Sequence, residues 1–353
     1  NYLSKHHYSL ELIKRGNKVV YLNPLKSRNL YTKLDFHTKI KDLTIINPSS
    51  YFRGLNYIPY KYRKIFHAFQ ANSIKQFSDY SFDIVWSFDP FRLQNLKSFQ
   101  SQLCIYHAMD FHNSKVENDI IKSADIIFTV SKMLKDHIKI ERKECYKIKH
   151  GLSEAFIYEN SKLPTMITKS NKINVGCVGN LHYPYLNTEI FKIIIKENNE
   201  VHFNFIGPFL KSNLSSKMIN NHFVEFLKGM SNVSLFGPVP SNELPKYINQ
   251  FDLFLICYNS DLYKTHTSNN HKILEFLSTG KVIVSHYIDE YKNKNDLVNM
   301  STNLSGLPLL FKKVVSELKF YNNSKLMDLR KFYAKNNSYS NQLDKIQFHL
   351  NKF

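Results

Sequence analysis

Short apolar runs rich in β-branched and aromatic residues alternate with longer helical stretches through most of this 353-residue chain. The runs at residues 126–130, 201–206 and 251–257 are typical of strands that are buried on both faces. A helix between two such strands returns the chain for parallel pairing through a right-handed crossover. The sequence therefore predicts an α/β fold built from Rossmann-like units with parallel sheets.

A polar segment at residues 160–171 separates two series of these strands and indicates a linker. It divides the sequence into a predicted N-terminal domain (1–160) and a predicted C-terminal domain (172–330), followed by a helical end (331–353). Parallel sheets bind ligands at the carboxyl ends of their strands. We therefore expect two facing Rossmann-like domains with an interdomain cleft for ligands.

The composition is that of an ordinary globular protein, with 43% hydrophobic and 22% charged residues. No apolar run of about 18 residues occurs, so no transmembrane helix is expected, and no signal peptide is visible. The four cysteines are widely spaced and form no Cys-x-x-Cys pair; they are Cys104, Cys145, Cys177 and Cys257. We expect reduced core thiols of a cytosolic protein rather than disulfides or zinc ligands.

The formal net charge of +19 is spread over both halves of the chain. Such an excess favours acidic partners, of which anionic lipid and nucleic acid are two common classes. Lys, Asn, Ile and Tyr are abundant together, which fits an AT-rich genome and weakens a functional interpretation of the charge.

Residues 268–285 are the most informative segment of the chain. Its first three residues, 268–270, are of types that cap helices, and Gly280 suits the left-handed conformation that ends a helix. Residues 282–284 then form a β-branched run that predicts a buried strand. A short helix followed by a core strand is therefore expected here.

Lys272 and Glu275 lie three residues apart, on one face of this helix and near its start, where an anion is favoured. A carboxylate at that place is explained if Lys272 meets a phosphate while Glu275 accepts hydrogen bonds from the hydroxyls of a sugar. The alternative is an exposed ion pair on the helix surface, which stabilises a helix by only a few tenths of a kcal/mol.

The same segment resembles the donor-site signature of GT-B nucleotide-sugar glycosyltransferases, especially those similar to family 4. The matching residues, in order and spacing, are Lys272, Glu275, Phe276, Leu277, Ser278, Gly280, Lys281, Ile283 and Ser285. Val282 stands where the family has proline, a change in packing and not in a ligand. The resemblance implies a GT-B fold that binds its donor through residues including His271, Lys272, Glu275 and Val239, with no metal and no other cofactor.

Looser matches extend the resemblance over nearly the whole chain. Residues 6–16 resemble the family's first helix, residues 150–152 its Asn-Gly-Val turn, and residues 332–339 its C-terminal Ala-x-x-Asn-Ser-Trp motif. In the family a strand and a glycine-rich loop precede that first helix, so we expect one strand and one loop to be missing here. The family's last helix packs back on the N-terminal domain, which is the expectation for residues 331–353.

Gly179 and Asn180 follow a predicted strand, and a glycine there lets a backbone approach a diphosphate. An ordinary strand-to-helix turn is the alternative. Beside Lys272, we interpret the pair as a donor contact. Family 4 enzymes often place an Arg and a Lys just after this loop, whereas residues 180–190 contain neither. Lys272 is therefore expected to neutralise most of the diphosphate charge.

Thr267 stands where retaining family 4 enzymes carry the first glutamate of a Glu-x7-Glu pair. An inverting mechanism is therefore left open, and inversion requires a general base for the acceptor hydroxyl. We expect that base in the loop after the strand at residues 102–107, with Asp110 as the first candidate and His107 or His112 as the second. The alternative is a turn-capping Asp among surface histidines.

Residues 51–66 mix aromatic side chains with four cations and no acid; the cations are Arg53, Lys61, Arg63 and Lys64. Such a stretch suits the interface of an anionic membrane. The same side chains could bind single-stranded nucleic acid by stacking, and a partly packed loop is the third interpretation.

The expectation from these patterns is a cytosolic glycosyltransferase, peripheral on the inner face of the plasma membrane. It would use a nucleoside-diphosphate sugar and a glycan or lipid-linked acceptor in bacterial surface-polysaccharide assembly. One alternative is a non-catalytic GT-B assembly subunit or basic nucleic-acid-binding protein, although the presence of Lys272 and Glu275 speaks against it. The other is a nucleotide-sugar epimerase of the same fold, which would not explain residues 51–66.

Overall fold

The structure is a computed structural model. It describes residues 3–23, 35–37, 40–47, 57–78, 81–91, 93–112, 115–138, 144–158, 172–209, 221–263 and 271–352. The chain divides into two compact units. Residues 2–149 together with 343–353 form the N-terminal unit, and residues 150–342 form the C-terminal unit.

The N-terminal unit alternates strands and helices, as the sequence predicts. In chain order its elements are α1 (Ser4–Lys14), β1 (Val19–Leu22), β2 (Asp35–His37), β3 (Leu43–Asn47), α2 (Tyr60–Ser78), β4 (Ile84–Ser87), β5 (Leu103–Ala108), α3 (Lys115–Ser123), β6 (Ile126–Thr129), α4 (Lys132–Ile138) and β7 (Cys145–Lys147). Strands β4-β5-β6-β7 form a parallel sheet in that order. A smaller sheet has the order β1-β3-β2, with β1 parallel and β2 antiparallel to β3.

Among the described residues of this unit, two clusters of buried side chains show how helices pack on the sheets. In one, β5 packs against α3 and α4 through residues such as Tyr106, Ile120 and Leu134. In the other, Ile46 of β3 packs against Ala71 of α2 and its neighbours. The helices therefore cover the sheets with apolar side chains, at the positions that the sequence pattern predicts to be buried.

The C-terminal unit repeats the alternation. Its elements are β8 (Ile173–Val178), α5 (Thr188–Glu197), β9 (Val201–Ile206), α6 (Asn221–Lys228), β10 (Val233–Phe236), α7 (Leu244–Ile248), β11 (Leu253–Ile256), α8 (Lys272–Ser278), β12 (Val282–Ser285), β13 (Asn299–Met300), α9 (Leu307–Ser316), α10 (Leu318–Tyr321), α11 (Ser324–Lys335) and α12 (Tyr339–Leu350), the last of which ends in the N-terminal unit.

The six strands described in this unit form one parallel sheet in the order β10-β9-β8-β11-β12-β13. Strands β11 and β12 are fully buried, because a core cluster covers each face of the sheet. The strand order changes direction between β8 and β11. Ligands of parallel α/β sheets bind at such a switch point, outside the carboxyl ends of the strands.

The boundaries of the two units along the chain differ from the predicted domain boundaries. Residues 150–158 belong to the C-terminal unit, where the Leu152 N–H donates to the Asn337 carbonyl at 2.7 Å and the Tyr339 N–H donates to the Leu152 carbonyl at 3.1 Å. Of the predicted C-terminal segment at 331–353, only residues 343–353 belong to the N-terminal unit, where an ion pair of 2.7 Å joins Arg15 and Asp344. The boundaries therefore lie at 150 and 343, where the sequence predicted 160 and 331.

Arg330 of α11 is 0% exposed and joins three segments of the C-terminal unit. Its guanidinium donates hydrogen bonds to the carbonyls of Gly280 (3.0 Å), Asp296 (3.0 Å) and Tyr321 (2.8 Å). Hydrogen bonds from a charged donor are about twice as strong as those between neutral groups. Arg330 therefore fixes the turn that follows α8 against α11.

All four cysteines are buried and unpaired by disulfides, as the sequence predicts. Within the described ranges, the structure contains no helix that is both long and apolar enough to span a bilayer. The predicted linker at residues 160–171 lies outside the described residues, and so do Thr267 and residues 268–270.

Candidate functional site

Two glycine-containing loops meet at the carboxyl ends of β8 and β9. Gly207 has a φ of +145°, and a Cβ on it would lie 2.0 Å from the carbonyl oxygen of Gly179. The Gly179 N–H donates to the Ile206 carbonyl at 2.8 Å, and the Leu181 N–H donates to the Pro208 carbonyl at 3.0 Å. Only glycine at position 207 permits this close approach, which fixes the loop that carries Gly179 at the end of the sheet.

Lys272 reaches the same place from the first residue of α8. A Cβ on Gly179 would lie 3.0 Å from the Lys272 ammonium nitrogen, so the lysine occupies the space that a side chain would take. Lys272, Gly179 and Asn180 line one small pocket at the ends of β8 and β11. The structure thus brings together three of the predicted donor-binding residues.

The orientation of α8 follows from its sequence. Ile273, Leu274, Phe276 and Leu277 are buried, and Phe276 stacks on Phe254 of β11 with ring centroids 4.2 Å apart. The remaining face carries Lys272 and Glu275, which are both partly exposed. The helix has only seven residues, so the Lys272 ammonium rather than the helix dipole supplies the positive charge of this site.

Glu275 is half-buried on the outer face of α8. Burial raises the pKa of its carboxyl from 4.5 to about 7, although the Lys272 ammonium acts in the opposite direction. A carboxyl group in this state gains from hydrogen-bond donors that stabilise its ionised form. The hydroxyls of a sugar are such donors.

The two other predicted donor residues lie at the edges of this group. His271 is exposed and immediately precedes α8, and its ring faces that of His150 edge-on at a centroid distance of 6.1 Å. Val239 follows β10 and packs on the core cluster that includes α8. Both therefore belong to the same part of the C-terminal unit.

In the N-terminal unit, Asp110 and His112 lie on the loop after β5. Asp110 is exposed, whereas His112 is partly buried and meets the ring of Phe91 edge-on at 5.1 Å. Burial lowers the pKa of His112, and the carboxylates of Asp110 and Asp89 act in the opposite direction. This loop therefore combines an exposed carboxylate with an imidazole that is predominantly neutral at pH 7.

His107 lies inside β5 and is 0% exposed. Its ring stacks on Trp86, with centroids 5.9 Å apart and planes 7° apart, and the rings of Tyr8, Phe88 and Phe128 complete the cluster. A general base must touch the proton that it removes. This position favours a role of His107 in the core and makes Asp110 the better candidate.

Glu117, for which the sequence predicted no role, lies directly beneath this loop. Its carboxylate accepts a hydrogen bond from the Tyr106 hydroxyl at 3.0 Å. Burial raises the pKa of Glu117 to about 7, against the lowering effects of Tyr106 and of the His112 N–H. Its position in the first turn of α3 gave no sign that it would be buried, because acidic residues are common there.

Arg63 corrects the prediction of a basic face on residues 51–66. Its side chain is buried in α2, where it donates to the Gln94 amide oxygen at 2.8 Å and lies 3.6 Å from the Asp119 carboxylate. It is therefore a core residue and does not face a membrane. Arg53 and the side chains of Lys61 and Lys64 lie outside the described residues.

A comparison of this chain with known proteins finds solved structures of similar fold. No protein-family profile and no curated protein sequence matches the chain. A sucrose-phosphate synthase from Thermosynechococcus elongatus superimposes with a TM-score of 0.71 at 11% identity, covering 98% of this chain and 92% of the other. A glycosyltransferase from Rickettsia africae gives a TM-score of 0.71 at 14% identity, covering 98% and 93%.

A third solved structure, of an Anabaena protein in complex with UDP-glucose, gives a TM-score of 0.59 at 13% identity, covering 80% of this chain and 82% of that one. The chain has the GT-B fold. This confirms the α/β fold class predicted from the sequence. At these identities the likeness establishes the fold, and the function rests on the site.

We predict that Glu275→Gln stabilises the protein above pH 7. In the wild type the folded state keeps the Glu275 proton up to about pH 7, whereas the unfolded chain loses it near pH 4.5. The free energy of unfolding therefore falls as pH rises through this window. The pKa difference corresponds to at most about 3 kcal/mol at pH 8. Urea unfolding of both proteins at pH 4.5 and pH 8 measures it.

The matched control is Glu225→Gln, because the Glu225 side chain is 69% exposed and forms an ion pair with Lys228 on the surface of α6. This variant should show no such gain at pH 8. A Glu275→Gln protein that is less stable than the wild type at pH 8 would contradict the raised pKa.

Proposed function

We propose that this protein is a glycosyltransferase. It transfers a sugar from a nucleoside-diphosphate sugar to a glycan or lipid-linked acceptor, in the assembly of bacterial surface polysaccharides. The observation that carries the proposal is the convergence of the Lys272 ammonium on the backbone of Gly179, with Glu275 on the same face of α8. A cation suits the diphosphate, a glycine lets the diphosphate approach the loop, and a carboxylate suits the hydroxyls of the sugar.

The fold supports the same assignment. Two of the similar solved structures are named as a glycosyltransferase and as a sucrose-phosphate synthase, and a third contains UDP-glucose. Parallel sheets bind nucleotides at the switch point of the strand order, which here lies between β8 and β11. Gly179 comes directly after β8, and Tyr258 comes shortly after the end of β11.

In the proposed reaction the acceptor hydroxyl attacks the anomeric carbon of the donor. A glycosidic bond forms, the bond to the diphosphate oxygen breaks, and the nucleoside diphosphate leaves with the bonding electron pair. Lys272 stabilises the negative charge that grows on the departing diphosphate. Glu275 accepts hydrogen bonds from sugar hydroxyls and thereby orients the donor.

The proton of the acceptor hydroxyl requires a base if the reaction inverts the anomeric centre. Asp110 is our candidate, since its carboxylate is exposed at the carboxyl end of β5. Glu117 accepts a hydrogen bond from the His112 backbone and from Tyr106, so it holds the loop that carries Asp110. No metal is part of this proposal.

We also propose that the protein works at the cytoplasmic surface of an anionic membrane, with α2 as the contact. Tyr62, Ile65 and Phe69 lie on one face of α2 and are 56%, 68% and 55% exposed. The sequence adds Lys61 and Lys64 next to them and has no acidic residue between positions 51 and 78. Exposed aromatic and aliphatic side chains beside lysines suit the headgroup region of a bilayer.

The donor site is tested with Glu275→Ala and a panel of nucleotide sugars, read by thermal shift. A donor at 100 times its Kd should stabilise the wild type by about 2.7 kcal/mol. The variant should lose this stabilisation and its turnover, because the sugar hydroxyls lose their acceptor. Glu189→Ala is the control, since Glu189 is an exposed residue of α5 whose side chain is 75% accessible. Wild-type donor affinity and turnover in Glu275→Ala would refute the assignment.

The base is tested with Asp110→Asn. If Asp110 removes the acceptor proton, turnover should fall by about 10²–10⁴-fold while donor affinity stays unchanged. One limb of the pH–rate profile should disappear as well. Asp136→Asn on the exposed side of α4 serves as the control. Formation of a product with the donor's anomeric configuration would remove the need for a base and contradict this role.

Membrane contact is tested by sedimentation with vesicles of phosphatidylglycerol and phosphatidylcholine. Lys61→Gln with Lys64→Gln should weaken binding by about 1 kcal/mol per cation, and Ile65→Ser with Phe69→Ser should weaken it further. Leu309→Ser is the control, since Leu309 is 75% exposed on α9. Arg63 is left unchanged because it is buried. Unchanged vesicle binding, or preferential binding to single-stranded DNA, would contradict the proposal.

A further inference from the structure

Four tyrosines lie together at the carboxyl ends of β8 and β11. Tyr183 and Tyr185 belong to the loop between β8 and α5, and Tyr258 and Tyr263 follow β11. The ring centroids of Tyr183 are 4.8 Å from Tyr185 and 5.9 Å from Tyr258, and those of Tyr185 and Tyr263 are 4.5 Å apart. The cluster therefore joins two loops beside the candidate donor site.

Backbone pairing fixes the two loops to each other. Leu186 and Tyr258 form an antiparallel bridge, and the Asn259 N–H donates to the Tyr185 carbonyl at 2.8 Å. On its other side, the Tyr258 N–H lies 3.3 Å from Nδ1 of the buried His286. The position of Tyr258 is thus determined by the strand ends and not by a freely moving loop.

The hydroxyl of Tyr258 points toward Gly179. A Cβ on Gly179 would lie 3.9 Å from this hydroxyl and 3.0 Å from the Lys272 ammonium. Tyr258, Lys272, Gly179 and Asn180 all line the same pocket. A phenol and an ammonium therefore converge on the space beside a glycine that has no side chain.

The charge of the surrounding loop makes this convergence informative. A diphosphate offers many acceptor oxygens and needs several donors, yet residues 180–190 contain neither Lys nor Arg. A tyrosine hydroxyl donates a hydrogen bond to a phosphate oxygen without adding a charge. Tyr258 has the position and the chemistry to complement Lys272.

We propose that Tyr258 is a donor-site residue whose hydroxyl donates a hydrogen bond to the diphosphate that Lys272 binds beside Gly179. This inference rests on the proposed function and deepens it. Recognition of the diphosphate would then use one lysine and one tyrosine in place of two cations. The other three tyrosines hold Tyr258 in position by packing.

Isothermal titration calorimetry with UDP, GDP and ADP, and with the corresponding nucleosides, tests this. Tyr258→Phe should weaken the nucleoside diphosphate that the wild type binds best by about tenfold or more, the loss expected for one hydrogen bond to a charged group. It should leave the affinity for the nucleoside unchanged. Tyr263→Phe is the matched control, because it removes a hydroxyl from the opposite end of the same cluster, and it should bind like the wild type.

The variant Lys272→Ala distinguishes a failure of the role of Tyr258 from a failure of the proposed function. If Lys272→Ala loses binding while Tyr258→Phe binds like the wild type, the role of Tyr258 is refuted and the proposed function stands. Equal losses in Tyr258→Phe and Tyr263→Phe, or an equal loss for the nucleoside, would show a packing effect and also refute it. If the wild type binds none of the three nucleoside diphosphates, the inference and the proposed function both fail.

Discussion

The contact between Gly179 and Gly207 determines the geometry of the candidate site. Because a Cβ on Gly207 would lie 2.0 Å from the Gly179 carbonyl oxygen, the loops after β8 and β9 meet only without side chains. The missing Cβ at Gly179 in turn leaves room for the Lys272 ammonium. Two glycines that follow neighbouring parallel strands thus determine where the cation can approach the backbone.

The other side of the site depends on a residue far from it in sequence. Arg330 binds the carbonyl of Gly280, in the turn that ends α8, and the carbonyls of Asp296 and Tyr321. This buried guanidinium and the stacking of Phe276 on Phe254 together fix the rotation of α8. Lys272 and Glu275 then face away from the core, because the apolar residues of the helix fill its packed face.

Local patterns predicted much of this structure. Strand–helix alternation gave the fold class, and the spacing of Lys272, Glu275 and Gly280 gave α8 and its polar face. The residues that were predicted wrongly or missed have contacts with residues far away in the sequence. Arg63 is a core residue because Gln94 and Asp119, distant in sequence, form its pocket. His107 belongs to the core because β5 continues through it, and Tyr258 reaches Gly179 only once β8 and β11 pair. No local window of sequence contains these partners.

The state of Glu275 has a consequence for how occupancy of the site could be observed. Its pKa of about 7 means that a substantial fraction of free molecules carries a proton there at neutral pH. Hydroxyls that donate to the carboxylate favour the ionised form, so a sugar bound in this way would expel that proton into the buffer. The apparent heat of binding would then change with the ionisation enthalpy of the buffer, and the size of that change would count the protons released.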